Sequence, residues 1–111
     1  MNATEHWHQV VQKNATNIGT VPYEFLTPEL CRQAVQKTAF ALYYIPEHMR
    51  TAELCRLAVQ KDSMCIDDVP SYRLTAELCR LAVEGGYQVR NLPKRFQTAE
   101  LRAIAANRKV G

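Results

Sequence analysis

A chain of 111 residues with 47% hydrophobic and 23% charged residues has the composition of a folded domain, which excludes a disordered chain. No run of about 18 apolar residues is present to span a bilayer, and the start, MNATEHWH, lacks the basic and apolar regions of a signal peptide. We therefore expect a single intracellular, cytoplasmic domain. The net charge of +3 is too small to indicate nucleic-acid binding on its own.

The chain is built from repeats. The phrase TAELCRLAVQK at 51–61 recurs as TPELCRQAVQK at 27–37, as TAELCRLAVE at 75–84 and, shortened, as TAEL at 98–101. The segment 3–13, ATEHWHQVVQK, overlays the same phrase in degenerate form. Four prolines lie 24, 24 and 23 residues apart and give the same period: Pro22, Pro46, Pro70 and Pro93. We divide the chain into unit 1 (3–26), unit 2 (27–50), unit 3 (51–74), unit 4 (75–97) and a half unit (98–111).

The phrase itself predicts an α-helix of about three turns. Threonine is a good N-cap, Pro28 is tolerated in the first turn, and the glutamate that follows favours the positive end of the helix dipole. In unit 3, Leu54, Ala58 and Val59 form one apolar stripe, with a small alanine that permits close helix packing. In unit 4, Gly85-Gly86 is expected to end the helix, and the missing residue is expected to shorten a loop there.

The second half of each unit has apolar residues at i, i+3 and i+7, for example Leu42, Ile45 and Met49, which is helical spacing. Because each proline disfavours a continuous helix, we expect one short helix or turn before it and another after it. An extended strand is the open alternative, since residues 39–45 have some β propensity. The predicted fold is all-α: a short α-solenoid of helical-hairpin repeats, each with one three-turn helix and a shorter, proline-broken return.

The pattern T-x-E-L-C-x-x-A-V, followed by an apolar stretch, a proline and the next threonine, resembles an uncharacterised bacterial repeat family that is known only as a domain of unknown function. The resemblance covers almost the whole chain. It implies a helical accessory protein of bacterial or phage origin, and it supplies no catalytic residues. Immunity or inhibitor proteins of bacterial conflict systems are roles open to such a protein. Trp7 and Arg102 replace the cysteine of the pattern, as would suit terminal caps.

Catalytic, metal and cofactor sites are not expected. Cys31, Cys55 and Cys79 recur once per unit, and helices packed about 8–10 Å apart would separate them too far for disulfides or tetrahedral zinc. We interpret them as small buried residues and Cys65 as a half-buried thiol. Glu53 and Arg56, like their equivalents, are i, i+3 pairs on one helix face, and stacking of the units is also expected to place rows of glutamates and arginines beside one another. An enzyme that uses Cys65 or a histidine remains a third hypothesis, and it requires a thiol of lowered pKa.

The units differ most at the residues that flank each proline. Such unlike residues are not required by packing, so we expect them to lie on one exposed edge and to bind a protein partner. The predicted partner-binding residues are Tyr43, Tyr44, Asp67, Asp68, Arg90, Lys94 and Arg95. The alternative is nucleic-acid binding by the basic C-terminal third, with Tyr87 and Phe96 stacking a base. The chain is expected to be a monomer or a weak homodimer, without membrane contact.

Overall fold

The computed structural model describes residues 2–110, with side chains described through residue 108, and within that range every regular element is helical. The prediction of an all-α chain is therefore confirmed. The α-helices are α1 (Ala3–Lys13), α2 (Pro28–Lys37), α3 (Ala52–Lys61), α4 (Ala76–Glu84) and α5 (Ala99–Val110).

The α-helices begin where the sequence predicts, because a side-chain oxygen caps each start. The hydroxyl oxygens of Thr27, Thr51, Thr75 and Thr98 accept a hydrogen bond from the backbone N–H three residues later, at 3.1–3.2 Å. Unit 1 differs. Ala3, which aligns with these threonines, has no side-chain oxygen, so Asn2 caps α1 instead at 2.8 Å from the Glu5 nitrogen.

Short 3-10 helices fill the second half of each unit, and the extended alternative is wrong for the residues described. The pre-proline 3-10 helices are Ala15–Thr20, Ala39–Tyr44, Ser63–Asp68 and Val89–Asn91. The post-proline 3-10 helices are Tyr23–Phe25, Glu47–Met49, Ser71–Arg73 and Lys94–Phe96. The residue before each proline is extended, with ψ of 127°, 136°, 124° and 157° in units 1 to 4, because the proline ring disfavours a helical conformation there.

Unit 4 departs from the period through its two glycines. Gly86 has a φ of 111°, in the left-handed region, and its N–H donates to the Val83 carbonyl at 3.0 Å. The Tyr87 N–H donates to the Ala82 carbonyl at 2.9 Å, which completes a Schellman motif at the end of α4. This turn takes the place of the first part of the pre-proline 3-10 helix. The one-residue deletion therefore falls in a segment that contains this turn, as the sequence predicted, and the neighbouring 3-10 helix is also shorter than in units 1 to 3.

The core runs along the chain from unit to unit. In α2, Leu30, Cys31, Ala34 and Val35 are buried, and the equivalent residues of α3 and α4 are buried too. Each of α1, α2 and α3 packs against the pre-proline 3-10 helix that follows it and against the next α-helix. The repeated alanines Ala34, Ala58 and Ala82 are fully buried, which lets neighbouring α-helices approach closely. The result is an elongated molecule of 53 × 28 × 16 Å.

Within α4, Arg80 pairs with Glu84 at 3.7 Å. Glu53 and Arg56 do not pair with each other but contact neighbouring α-helices, in keeping with the expected rows of glutamates and arginines. Three ion pairs between neighbouring α-helices are found among the described residues. The pairs are Arg32–Glu53 at 3.0 Å, Arg56–Glu77 at 3.1 Å and Arg80–Glu100 at 3.7 Å. They form because the α-helices lie side by side in register, so that each arginine reaches the glutamate in the first turn of the next helix. All of these side chains are largely exposed, and each pair is worth about 0–1 kcal/mol.

Candidate partner-binding surface

Large apolar side chains that are exposed all lie on 3-10 helices in the part of the chain described. These residues are Tyr23, Phe40, Tyr43, Tyr44, Met64 and Tyr72, and each has 46–69% of its residue surface exposed. None of them lies on an α-helix. We call Tyr23, Tyr43, Tyr44 and Tyr72 the tyrosine surface. It spans units 1 to 3.

Tyr43 and Tyr44, two of the predicted binding residues, end the pre-proline 3-10 helix of unit 2. Their ring centroids lie 5.2 Å apart in an edge-to-face arrangement. Tyr44 also packs on Gly19 of unit 1, where an added Cβ would lie 3.3 Å from the Tyr44 Cβ. Unit 1 therefore supports Tyr44 from one side, while 46% of Tyr44 and 62% of Tyr43 stay exposed.

The rest of the tyrosine surface lies just after the prolines. The Tyr23 ring centroid is 5.8 Å from that of His48, and the Tyr72 hydroxyl donates to the Glu47 carbonyl at 3.4 Å. These contacts join the post-proline 3-10 helices of units 1, 2 and 3. Tyr23 and Tyr72 were not among the predicted binding residues, although both follow a proline closely: Tyr23 is the first residue after Pro22, and Tyr72 is the second after Pro70.

The predicted acidic pair is partly used inside the molecule. Asp67 is exposed, and its carboxylate accepts a hydrogen bond from the Tyr87 hydroxyl of unit 4. Asp68 is half-buried, and desolvation raises the pKa of its carboxyl, an effect that Arg50 opposes and Asp67 reinforces. The two carboxylates thus differ: Asp67 links two units, and Asp68 is partly withdrawn from solvent.

Arg50, which the sequence did not single out, holds the tyrosine and aspartate positions together. Its guanidinium donates to the carbonyls of Tyr43 at 2.9 Å, Ile45 at 2.8 Å and Asp68 at 2.8 Å. These contacts join the ends of the pre-proline 3-10 helices of units 2 and 3. Gln97, at the same place in unit 4, donates to the carbonyls of Leu92 at 2.8 Å and Arg90 at 3.4 Å.

The predicted basic residues Arg90, Lys94 and Arg95 are exposed on unit 4. The Arg95 guanidinium lies 4.7 Å from the Phe96 ring centroid. Only 6% of Tyr87 is exposed, so the prediction that this ring stacks a base is wrong, whereas Phe96 is half-buried and its predicted stacking stays a prediction. Tyr87 is buried because its hydroxyl turns towards Asp67, and Phe96 packs against the core.

All four cysteines are free and buried, including Cys65, which the sequence suggested would be half-buried. Burial raises the pKa of the Cys31 and Cys55 thiols to about 11 and that of Cys65 to about 12, where nearby aspartates add to the effect. Burial also raises the pKa of Cys79. A nucleophilic thiol needs the opposite shift. The described residues hold no group of three or more His, Cys, Asp or Glu side chains placed to bind a metal ion.

The raised thiol pKa values predict that alkaline pH destabilises the fold. An unfolded cysteine ionises near pH 8.5, whereas folded Cys31 and Cys55 hold their protons until about pH 11. Between these values the folded chain binds more protons, so the free energy of unfolding falls as pH rises. Urea unfolding at pH 7.5, 9 and 10 should show this loss, and a Cys55→Ala variant should show less of it. Equal stability at all three values would contradict the prediction.

One histidine, His8, makes a contact between two α-helices. His8 is half-buried, with its Nδ1 atom 2.8 Å from Oε1 of Gln33, which ties α1 to α2.

Within residues 2–110, no helix has the length and apolar character needed to cross a membrane. Comparison with protein-family models, curated proteins and solved structures gave no match.

Proposed function

We propose that the chain is a short α-solenoid of helical-hairpin repeats that binds a protein partner through its 3-10 helices, with the tyrosine surface as the anchor. The observation that carries the proposal is the placement of every exposed large apolar side chain of the described chain on 3-10 helices. Exposed apolar patches of this kind mark interaction sites in folded proteins. Tyrosine is enriched among the residues that dominate binding energy at interfaces.

The order of elements supports the solenoid part of the proposal. Units 1 to 4 each contain one α-helix, a pre-proline and a post-proline 3-10 helix, and the main packing contacts connect elements of the same or adjacent units. Neighbour-only packing is typical of repeat arrays, whose variable side chains form extended binding surfaces. Tyr43 and Tyr44 are presented from a backbone that Arg50 holds in place, which reduces the ordering cost of binding.

Site-specific photocrosslinking tests the proposal. A photoreactive phenylalanine analogue is placed at position 43 or 72 and, as a control, at the exposed Gln60 of α3. In a lysate of the source cells, positions 43 and 72 should form the same protein adduct, and position 60 should not. The Tyr43→Ala/Tyr44→Ala variant with the analogue at position 72 should lose the adduct by at least tenfold.

Adducts of equal yield from positions 43 and 60 would overturn the proposed surface. So would an adduct at position 72 that survives the double substitution. The variant Gln36→Ala/Gln60→Ala, which removes two exposed side chains from α2 and α3, is the matched control for the double tyrosine variant. It should leave the adduct unchanged.

Nucleic-acid binding by the basic end is the second candidate, and one observation favours it. Arg90, Lys94 and Arg95 are exposed, and the salt bridges found among the described residues involve other arginines. Binding of this kind would weaken steeply as salt rises, because phosphate contacts release counterions. Protein binding through the tyrosine surface would change little with salt. Titration of a single-stranded oligonucleotide at 50 and 300 mM salt separates the two candidates.

A further inference from the structure

A groove lies between α5 and the end of unit 4. Its volume is about 520 Å³, within the range of small-molecule sites. Apolar side chains line part of it, including Val83, Val89 and Ala105. Three arginines also line it: Arg90 from the pre-proline 3-10 helix, and Arg102 and Arg108 from α5. We call this the C-terminal groove.

The groove exists because the inner face of α5 is uncovered. In α4, Cys79 and Val83 are fully buried. The aligned residues of α5, Arg102 and Ala106, are exposed. Arg102 thus replaces the cysteine of the pattern on a face of α5 that is open to solvent.

The charges of the groove are not balanced by the protein. No carboxylate is among its lining residues. Elsewhere in the described chain, Arg32, Arg56 and Arg80 each pair with a glutamate, whereas the groove arginines have no such pair among the described residues. Three guanidinium groups around one cavity therefore present uncompensated positive charge.

Two local contacts involve the segments that carry the groove arginines. The Gln97 amide donates to the Arg90 and Leu92 carbonyls, at 3.4 and 2.8 Å, which fixes the segment that carries Arg90. Arg108 lies against Gly86, where a Cβ would be 3.2 Å from Nη1 of Arg108. The φ of 111° at Gly86 also disfavours any larger residue.

We propose that the C-terminal groove binds a small organic phosphate monoester, with the phosphate on the arginines and the organic body on the apolar wall. A phosphate monoester carries a charge of about −1.5 to −2 at neutral pH, which suits three cations better than a single carboxylate does. Guanidinium groups bind phosphate oxygens in bidentate geometry. This inference does not rest on the proposed protein-binding function, since it uses a different ligand and residues outside the tyrosine surface.

Isothermal titration calorimetry with phenyl phosphate tests the inference, and inorganic phosphate serves as the probe that lacks an apolar body. Phenyl phosphate should bind saturably at one site and more tightly than inorganic phosphate. The Arg102→Gln variant should weaken phenyl phosphate binding about tenfold, the usual size for one charge-assisted contact. Arg90→Gln should do the same. Unchanged thermal unfolding would show that each variant keeps its fold.

Lys94→Gln is the matched control, because it removes one exposed cation of unit 4 that does not line the groove. It should leave the affinity within about twofold. Equal losses for Lys94→Gln and Arg102→Gln would show diffuse charge attraction and overturn the site. Absence of saturable phenyl phosphate binding to the unmodified chain would also overturn it, as would oligonucleotide binding without phenyl phosphate binding.

Discussion

Replacing Arg50 with methionine is expected to lower the free energy of unfolding by about 3 kcal/mol. The Arg50 guanidinium donates to three backbone carbonyls, on Tyr43, Ile45 and Asp68. Methionine keeps an unbranched apolar stem but has no donor, so all three bonds are lost together. Urea unfolding followed by circular dichroism measures the change. Lysine at this position should cause an intermediate loss, because one ammonium cannot replace a planar fork of donors.

Arg56→Met is the matched control for that experiment. Arg56 is also an arginine linking two units, but its partner is the exposed carboxylate of Glu77 at 3.1 Å. Its loss should cost less than about 1 kcal/mol. If the two variants were equally stable, Arg50 would have no special role between units 2 and 3. A loss confined to Arg50→Met would also predict weaker partner binding, because Tyr43 shares that backbone.

The positions of the α-helices followed from the sequence because their signals are local. The Thr hydroxyl, the first-turn glutamate and the Leu-Ala-Val stripe act within one helix, and each Thr cap is where it was expected. The one shifted N-cap, at Asn2 instead of Ala3, reflects the same chemistry, since of these two residues only asparagine has a side-chain oxygen. Stacking was expected to place rows of glutamates and arginines side by side, but the choice of Arg32 over Arg56 as the partner of Glu53 depends on the packing of α2 on α3, which the spacing along one helix does not show.

The candidate surface was predictable in outline and not in detail. The period placed Tyr43 and Tyr44 on an exposed edge, and they are exposed. It did not reveal that Tyr87 turns inward to Asp67, because that contact spans two units and follows from the glycine turn that ends α4. The Arg50 contacts were hidden for a similar reason. A guanidinium that binds carbonyls leaves no partner side chain in the sequence to suggest it.

Replacing Leu42 with alanine is the second large effect that we expect, a loss of about 3 kcal/mol in the free energy of unfolding. Leu42 is fully buried in the pre-proline 3-10 helix of unit 2, between the corresponding helices of units 1 and 3. The substitution would remove contacts with both neighbours and leave a cavity. Urea unfolding is again the measurement, and the slope with denaturant should stay the same if the rest of the fold is unchanged.

Phe40→Ala gives the matched control and separates the two backbones that the sequence left open. With three residues per turn, Ala39, Leu42 and Ile45 share the buried side, while Phe40 and Tyr43 point to solvent. In a strand, Phe40, Leu42 and Tyr44 would share one face, so that Phe40 and Leu42 would be equally important. Phe40 is 50% exposed and should cost about 1 kcal/mol, despite its larger side chain. Losses of equal size would contradict the 3-10 register, and with it the exposed orientation of Tyr43 on which the proposed partner-binding surface depends.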